Sequence, residues 1–248
     1  MTERQANILR IVNENSRVEV AVLARMQNVS QVTVRKDLDV LEERGLLVRE
    51  HGYAQACNSD DINKRLAVRY DVKLRIARAA AEIVANGETV MIESGSSCAI
   101  LAEILANEKK DVTIITNSAF IASHLRDAAA SKVVLLGGDY QKESQVMVGP
   151  LVRKCAREFY VDKLFMGTDG FIPQAGFTCG DMMRAEAMKN MAESAKHSII
   201  LTDSTKFNQQ GVVLQCRFEN VQMVFTDDGI PEQVRGILEK HNIGLVVV

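Results

Sequence analysis

Residues Ser30 to Gly45 read SQVTVRKDLDVLEERG, and the order of these residue types predicts a single helix with one buried face and one basic face. Ser30 has the side chain of an N-cap, whose oxygen accepts from the first orphan backbone N–H groups. Val34, Leu38 and Leu41 recur at i, i+4 and i+7, so they share a stripe that must pack against other elements. Val32, Thr33 and Lys36 then point away from the stripe and Arg35 lies on its flank. Gly45 stands where a C′ glycine ends a helix.

Upstream, Thr2 and Gln5 have capping-box spacing, and Ile8, Leu9, Ile11 and Val12 form the apolar face of a helix expected to end near Asn13 to Asn15. A second helix fits Glu19 to Met26, with Val20, Leu23 and Ala24 inward, and NVS supplies the turn into the third. Downstream, LLVREHGYA alternates around Gly52 as a small two-stranded wing would. Three helices and a wing make a winged helix-turn-helix, in which the third helix enters the major groove. The candidate DNA contacts are Ser30, Gln31, Val32, Thr33, Arg35 and Lys36. Thr33, Arg35 and Lys36 suit phosphate oxygens and base edges, and Val32 suits a thymine methyl.

A charged helix face is more often merely solvated, and local charge does not argue otherwise. Eight basic residues meet eight acidic ones between Met1 and Tyr53. One head should therefore bind DNA weakly without sequence preference, so affinity requires two heads on one duplex, as in a homodimer or homotetramer.

The whole chain is near neutral: 248 residues, 30 basic against 32 acidic, 47% hydrophobic and 25% charged. No apolar run approaches the roughly 20 residues of a membrane span, and Met1 to Asn15 is charged rather than signal-like. A cytoplasmic protein without membrane partners is expected. Cys57, Cys98, Cys155, Cys179 and Cys216 show neither C-x-x-C pairing nor a histidine at metal-ligand spacing. Reduced, packed thiols, no metal site and no cofactor are expected.

Beyond the wing the pattern of the head ends. AQACNSDDIN, Ala54 to Asn63, lacks periodicity and reads as linker, and VKLRIARAAAEIVANGE reads as a helix with Leu74, Ala77, Ala80, Ala81 and Val84 inward. Then TVMIES, VTIIT, KVVLL, KLFMGT, SIILT, MVFT and GLVVV alternate with helical patterns near Cys98–Leu105, Ala119–Ala128, Gly149–Phe159, Met182–Ala195 and Pro231–His241. This alternation predicts an α/β fold with a doubly wound, mainly parallel sheet. The expected division is a DNA-binding head at 1–55, a linker at 56–72 and the larger domain at 73–248.

Ligands of such sheets bind where strand C-termini meet loops. Those loops are small and polar: SGSS (Ser94 to Ser97), TNS (Thr116 to Ser118), Gly137-Gly138, GTDG (Gly167 to Gly170, with Asp169) and TDSTKF (Thr202 to Phe207). SGSS leads into a helix whose N-terminus favours an anion such as phosphate, with hydroxyls of Ser94, Ser96 and Ser97 as further donors. Lys206, beside Asp203, could neutralise a phosphate, and Lys73 is a weaker candidate for the same task. A purely architectural DNA-binding protein would not explain these loops.

Arg4-x3-Ile8-x3-Val12, followed by Ser30-x2-Thr33-Val34-Arg35-Lys36-Asp37-Leu38, resembles the N-terminal signature of the DeoR family of bacterial sugar-catabolism regulators. SGSS, TNS, LGG, MGTDG and DSTKF stand in the order of that family's effector domain, so the resemblance spans the chain. It implies a sugar-phosphate sensor similar to ribose-5-phosphate isomerase, with Ser94, Gly95, Ser96, Ser97, Thr116, Asn117, Gly137, Gly138, Asp203 and Lys206 around the ligand. Two departures stand out: Gly52-Tyr53 where the family often has two glycines, and Glu93-Ser94-Gly95-Ser96-Ser97 where it commonly has an acid followed by Gly-Thr-Thr.

The alternative of a different class is a sugar-phosphate isomerase-like enzyme, with Asp169, Asp181 or Asp203 as base. It leaves the reading head without a use. His51, His124, His197 and His241 lie outside the polar loops, and LLGGDY lacks the G-x-G-x-x-G spacing. The expected function is a regulator, most simply a repressor of a sugar uptake or catabolism operon. It binds double-stranded operator DNA and is released when a sugar phosphate prefers the state that fits DNA poorly.

Overall fold

Thr2 and Gln5 close a capping box at the start of the first helix: the Thr2 hydroxyl accepts from the Gln5 N–H and the Gln5 amide oxygen accepts from the Thr2 N–H. The computed structural model describes residues 2–43, 46–55, 61–128 and 131–248. Gly45, expected to end the third helix, and Cys57 lie outside them. Helix α1 (Glu3–Asn15) is followed by β1 (Arg17–Glu19), α2 (Val20–Met26) and α3 (Gln31–Glu43), then by a hairpin of β2 (Val48–Glu50) and β3 (Tyr53–Gln55). Ile8, Leu23, Val34, Leu38 and Leu41 are all sealed from solvent, so the apolar stripe of α3 closes on α1 and α2 as its spacing requires.

The wing is larger than expected. Strand β1 joins β3 antiparallel, giving a three-stranded sheet in the order β1-β3-β2, with Val18 opposite Ala54 and both buried. Arg17 lies 4.1 Å over the Tyr53 ring, which holds the added strand through a cation–π contact. Three residues are too few to show a period of two, so this strand was not legible beforehand.

Two compact units divide between Asp71 and Val72. The stretch expected to be linker contains a helix, α4 (Ile62–Ala67), started by Asp61 accepting from the Asn63 N–H at 2.8 Å. Ile62, Leu66 and Ala67 are buried and α4 packs on α1 within the first unit. Hydrophobic burial, invisible in so short a segment, overrides its polar composition.

Helix α5 (Tyr70–Glu82) leads into β4 (Thr89–Ile92), α6 (Ser96–Glu108), β5 (Val112–Thr116), α7 (Ala119–His124), β6 (Ser131–Leu135), β7 (Asp139–Gln141) and β8 (Val146–Val148). The chain continues through α8 (Pro150–Ala156), β9 (Val161–Met166), β10 (Gly170–Ile172), β11 (Gly176–Cys179), α9 (Met182–Ala192) and β12 (Ala195–Leu201). It ends with β13 (Val213–Arg217), β14 (Met223–Thr226), α10 (Glu232–Lys240) and β15 (Gly244–Val247).

The seven apolar runs form one parallel sheet in the order β15-β14-β12-β9-β4-β5-β6. The inner strands β4, β5, β9 and β14 are mostly buried, as a sheet covered on both faces demands, whereas the edge strands β6 and β15 are half-exposed. Two small antiparallel sheets, β7-β8 and β10-β11-β13, were not anticipated. The second is packed by Phe171, whose ring meets Phe177 at 5.4 Å and Phe207 at 5.5 Å edge-on. Its register shifts between Phe177 and Thr178, which erases the alternation a sequence pattern could show.

Candidate functional site

Two surfaces carry chemistry, one in each unit. On the first, Ser30 caps α3: its hydroxyl accepts from the Thr33 N–H at 3.1 Å and lies 2.9 Å from the Thr33 hydroxyl. Gln31, Val32, Arg35 and Lys36 are exposed on the first two turns, with Thr33 half-buried beside them. Among the described residues neither Arg35 nor Lys36 has an intramolecular partner. Arg49 of the wing, in contrast, is paired with Asp39, and its N–H donates to Glu42 at 2.9 Å. The result is a short outward face bearing two cations, an amide, hydroxyls and an apolar tip, the groups that read a DNA groove.

The face beneath holds a residue that the spacing argument did not single out. Asp37 is 5% exposed, and its carboxylate accepts from Arg4 Nε at 2.6 Å and Nη2 at 3.2 Å and from Gln5 Nε2 at 3.3 Å. The same pairing raises the Arg4 guanidinium above its ordinary pKa. An acid next to Leu38, inside an apolar stripe, was the available signal.

The second surface lies at the C-terminal ends of the parallel strands. The chain begins the sheet at β4, builds outward through β5 and β6, then returns to β9 on the other side of β4 and runs outward through β12, β14 and β15. The reversal at β4 and β9 is the topological switch point, where such sheets open a crevice. There Glu93, 4% exposed, accepts from the Ser94 hydroxyl at 2.6 Å, the Gly95 N–H at 2.8 Å and the Gly167 N–H at 3.2 Å. A Cβ on Gly95 would stand 3.1 Å from the Gly167 Cα, so the two loops touch backbone to backbone. The Gly167 carbonyl accepts from Gln215 Nε2 at 2.7 Å, which adds β13 to the clasp.

Helix α6 starts from this clasp with Gly95 as N-cap and therefore no capping side chain, whereas α7 is capped by Ser118 and α9 by Asp181. Its first turn carries Ser96, half-buried, and Ser97, buried. Beside it, Thr116 Oγ1 accepts from the Ser118 N–H at 3.0 Å. Asn117 donates to the Met147 carbonyl at 3.1 Å, while its own Oδ1 is buried without a partner among the described residues. Ser94 to Ser97 thus lie at the uncapped start of α6 after β4, and Thr116 and Asn117 stand at the end of the neighbouring strand β5, where Thr116 stands opposite Ile92.

The remaining candidates stand on other segments. Asp203 caps the 3₁₀ turn Ser204–Asn208, accepting from the Thr205 N–H at 3.1 Å and from the Thr205 hydroxyl. Lys206 Nζ donates to Gln209 Oε1 at 3.0 Å. Asp169 accepts from the Gly180 N–H at 2.9 Å. Gly137 and Gly138 follow β6, where a Cβ on Gly138 would lie 2.5 Å from the Val148 carbonyl oxygen, so its place is tied to packing on β8. Lys73 is buried on α5. Four strand spacings separate β12 from β6, about 19 Å at about 4.8 Å each. Asp203 and Lys206 therefore flank the central group from one side, and Gly137 and Gly138 from the other.

Two acids were passed over: Glu93, and Asp227 after β14, which accepts from the Ser204 N–H at 2.6 Å and its hydroxyl at 2.8 Å. Both directly follow strands, so reading every strand end for acids would have found them. Asp169 and Asp203, like Asp181 at the Arg184 N–H (2.8 Å), each accept from nearby backbone and so act as loop caps. Burial, with Asp169 adding to it, pushes the Cys179 thiol up to about 12, and burial pushes Cys216 up to about 12, so neither is a thiolate nucleophile at neutral pH. Among the described residues, no helix is long and apolar enough to cross a membrane.

The glycerol-3-phosphate regulon repressor of Escherichia coli K12 is 28% identical, over 98% of each chain. The transcriptional repressor AccR of Agrobacterium fabrum is 28% identical, over 99% of this chain and 96% of its own. Ribose 5-phosphate isomerase A from Methanocaldococcus jannaschii superposes at a TM-score of 0.41 and 20% identity, over 56% of this chain and 54% of its own. The DeoR-like helix-turn-helix domain matches residues 4–60 and the DeoR C terminal sensor domain matches 68–228. With a reading head and a sensor sheet each matched in turn, the chain belongs to the DeoR family of DNA-binding transcription regulators.

Proposed function

We propose that this regulator represses an operon for sugar uptake or catabolism, and that a phosphorylated sugar bound at the strand ends of the second unit releases it from its operator. The observation that carries the effector's chemistry is the uncapped start of α6 at the switch point. The orphan N–H groups of a first turn, with the helix dipole behind them, favour an anion, and the Ser96 and Ser97 hydroxyls stand on that turn. Asn117 and Thr116 lie beside it for the polyol portion, and Lys206 flanks it. Glycerol 3-phosphate, after which the regulon repressed by the Escherichia coli relative is named, is itself a phosphorylated polyol.

Ser30, Gln31, Val32, Thr33, Arg35 and Lys36 are the proposed DNA contacts. The balanced charge of the head supports pairing of two heads, in a homodimer or homotetramer, on repeated half-sites. The protein acts in the cytoplasm, where both the operator and the sugar phosphate are found.

A thermal-shift screen against sugar phosphates and their unphosphorylated parents tests the sensor. A ligand at about 100 times its dissociation constant adds about 2.7 kcal/mol of stability. The expected result is a shift confined to a phosphorylated sugar, with no turnover. Equal shifts with the unphosphorylated parents, or none with any compound, would remove the anion site.

A further inference from the structure

The hydrophobic stripe of α3 determines which side of the recognition helix is buried, but apolar contact is non-directional and tolerates small rotation and sliding. Three polar side chains supply direction. Arg4 presents Nε and Nη2 to the two carboxylate oxygens of Asp37, a fork that fixes both distance and plane. Gln5 is engaged at both ends of its amide: Oε1 accepts from the Thr2 N–H, and Nε2 donates to Asp37. The first turn of α1 is thereby bonded to the second turn of α3 through a side chain that also completes the capping box of α1. Asp37 lies one residue beyond Lys36, so any rotation of its carboxylate about the axis of α3 turns the DNA-facing pair with it.

We propose that Arg4, Gln5 and Asp37 form a positioning clasp that sets the angle at which α3 presents Arg35 and Lys36, and so contributes to operator specificity without itself touching DNA. The Arg4 side chain is 40% exposed, yet two of its nitrogens are committed to Asp37. Loss of the clasp should loosen discrimination between sequences more than it weakens attraction to phosphates.

The test uses the full chain and the duplex that the parent protein selects from a randomised pool, with a scrambled duplex of equal length as reference. Asp37→Asn and Arg4→Ala should each lower the ratio of selected to scrambled affinity by about tenfold, the scale of losing a part-buried charge-assisted hydrogen bond. The slope of log affinity against log salt should stay at the parent value, whereas Arg35→Ala should reduce it by about one. The double variant Arg4→Gln with Asp37→Asn, which replaces the ion pair with two amides, should regain most of the ratio. Unchanged ratios in both single variants would reduce the clasp to ordinary stability and overturn the proposal. A lowered salt slope for Arg4→Ala would do the same by making Arg4 a phosphate contact. Should Asp37→Asn fail to fold, Arg4→Ala, altered at a half-exposed position, decides the outcome.

Discussion

The two surfaces hold their polar groups in opposite ways. On α3, Arg35 and Lys36 project from the helix with no intramolecular partner among the described residues, while the buried Asp37 below is fully engaged. At the strand ends the charged groups face inward to their own loops: Glu93 on Gly95 and Gly167, Asp203 on Thr205, Asp227 on Ser204. For the proposed partner, the groove and phosphates of a DNA duplex, α3 offers side chains that are extended and available. For the small anion proposed as effector, the loops around the start of α6 are fixed beforehand by these carboxylates, which leaves the first-turn N–H groups and the Ser96 and Ser97 hydroxyls to meet it. Preorganisation of that kind lowers the cost of ordering a loop around a ligand.

The contrast is broken most directly at Glu93. Replacing Glu93 with Ala leaves the Ser94 hydroxyl and the Gly95 and Gly167 N–H groups without their acceptor. Denaturant unfolding of the second unit should then lose about 3 kcal/mol. A loss within about 0.5 kcal/mol would mean that the clasp does not hold the loops. The opposite behaviour is expected of Arg35→Ala, which should cost about 1–3 kcal/mol of operator binding and leave stability within about 0.5 kcal/mol. Binding by anisotropy and unfolding by circular dichroism, measured on one sample, separate the two.

Ser30→Ala sharpens the comparison from within the head, because Ser30 both caps α3 and stands among the proposed contacts. Loss of the cap should cost about 1 kcal/mol of head stability. The smallest effect is expected from Lys206→Ala, within about 0.5 kcal/mol of the parent in stability. A thermal scan should nevertheless show a reduced response of this variant to the phosphorylated ligand. A full response would take Lys206 out of the site.

The same contrast decides what could be read in advance. The head was legible because Val34, Leu38 and Leu41 repeat at helical spacing and Ser30 is a strong cap. The outward set then follows by geometry alone. The seven parallel strands were legible because they are short apolar runs, most of them rich in β-branched residues, that alternate with helical patterns. What escaped depends on distant pairing: β1 needs Tyr53, β10 and β11 need Cys216 and the phenylalanine cluster, and α4 needs α1 to cover Ile62. In the sensor the strand-end loops could be read, but not the hydrogen bonds within them. Asp203 reads in sequence as a ligand contact beside Lys206, and only the fold shows its carboxylate turned back on Thr205.

The central claim is that a ligand held at the second surface changes what the first surface binds. Fluorescence anisotropy of the selected operator duplex, titrated with each sugar phosphate and with its unphosphorylated parent, tests it directly. The account predicts that a phosphorylated sugar releases the duplex from the parent protein, and that the unphosphorylated parent compounds have no effect at the same concentration. Undiminished DNA binding in the presence of every phosphorylated compound, including any that stabilises the protein in a thermal scan, would contradict it.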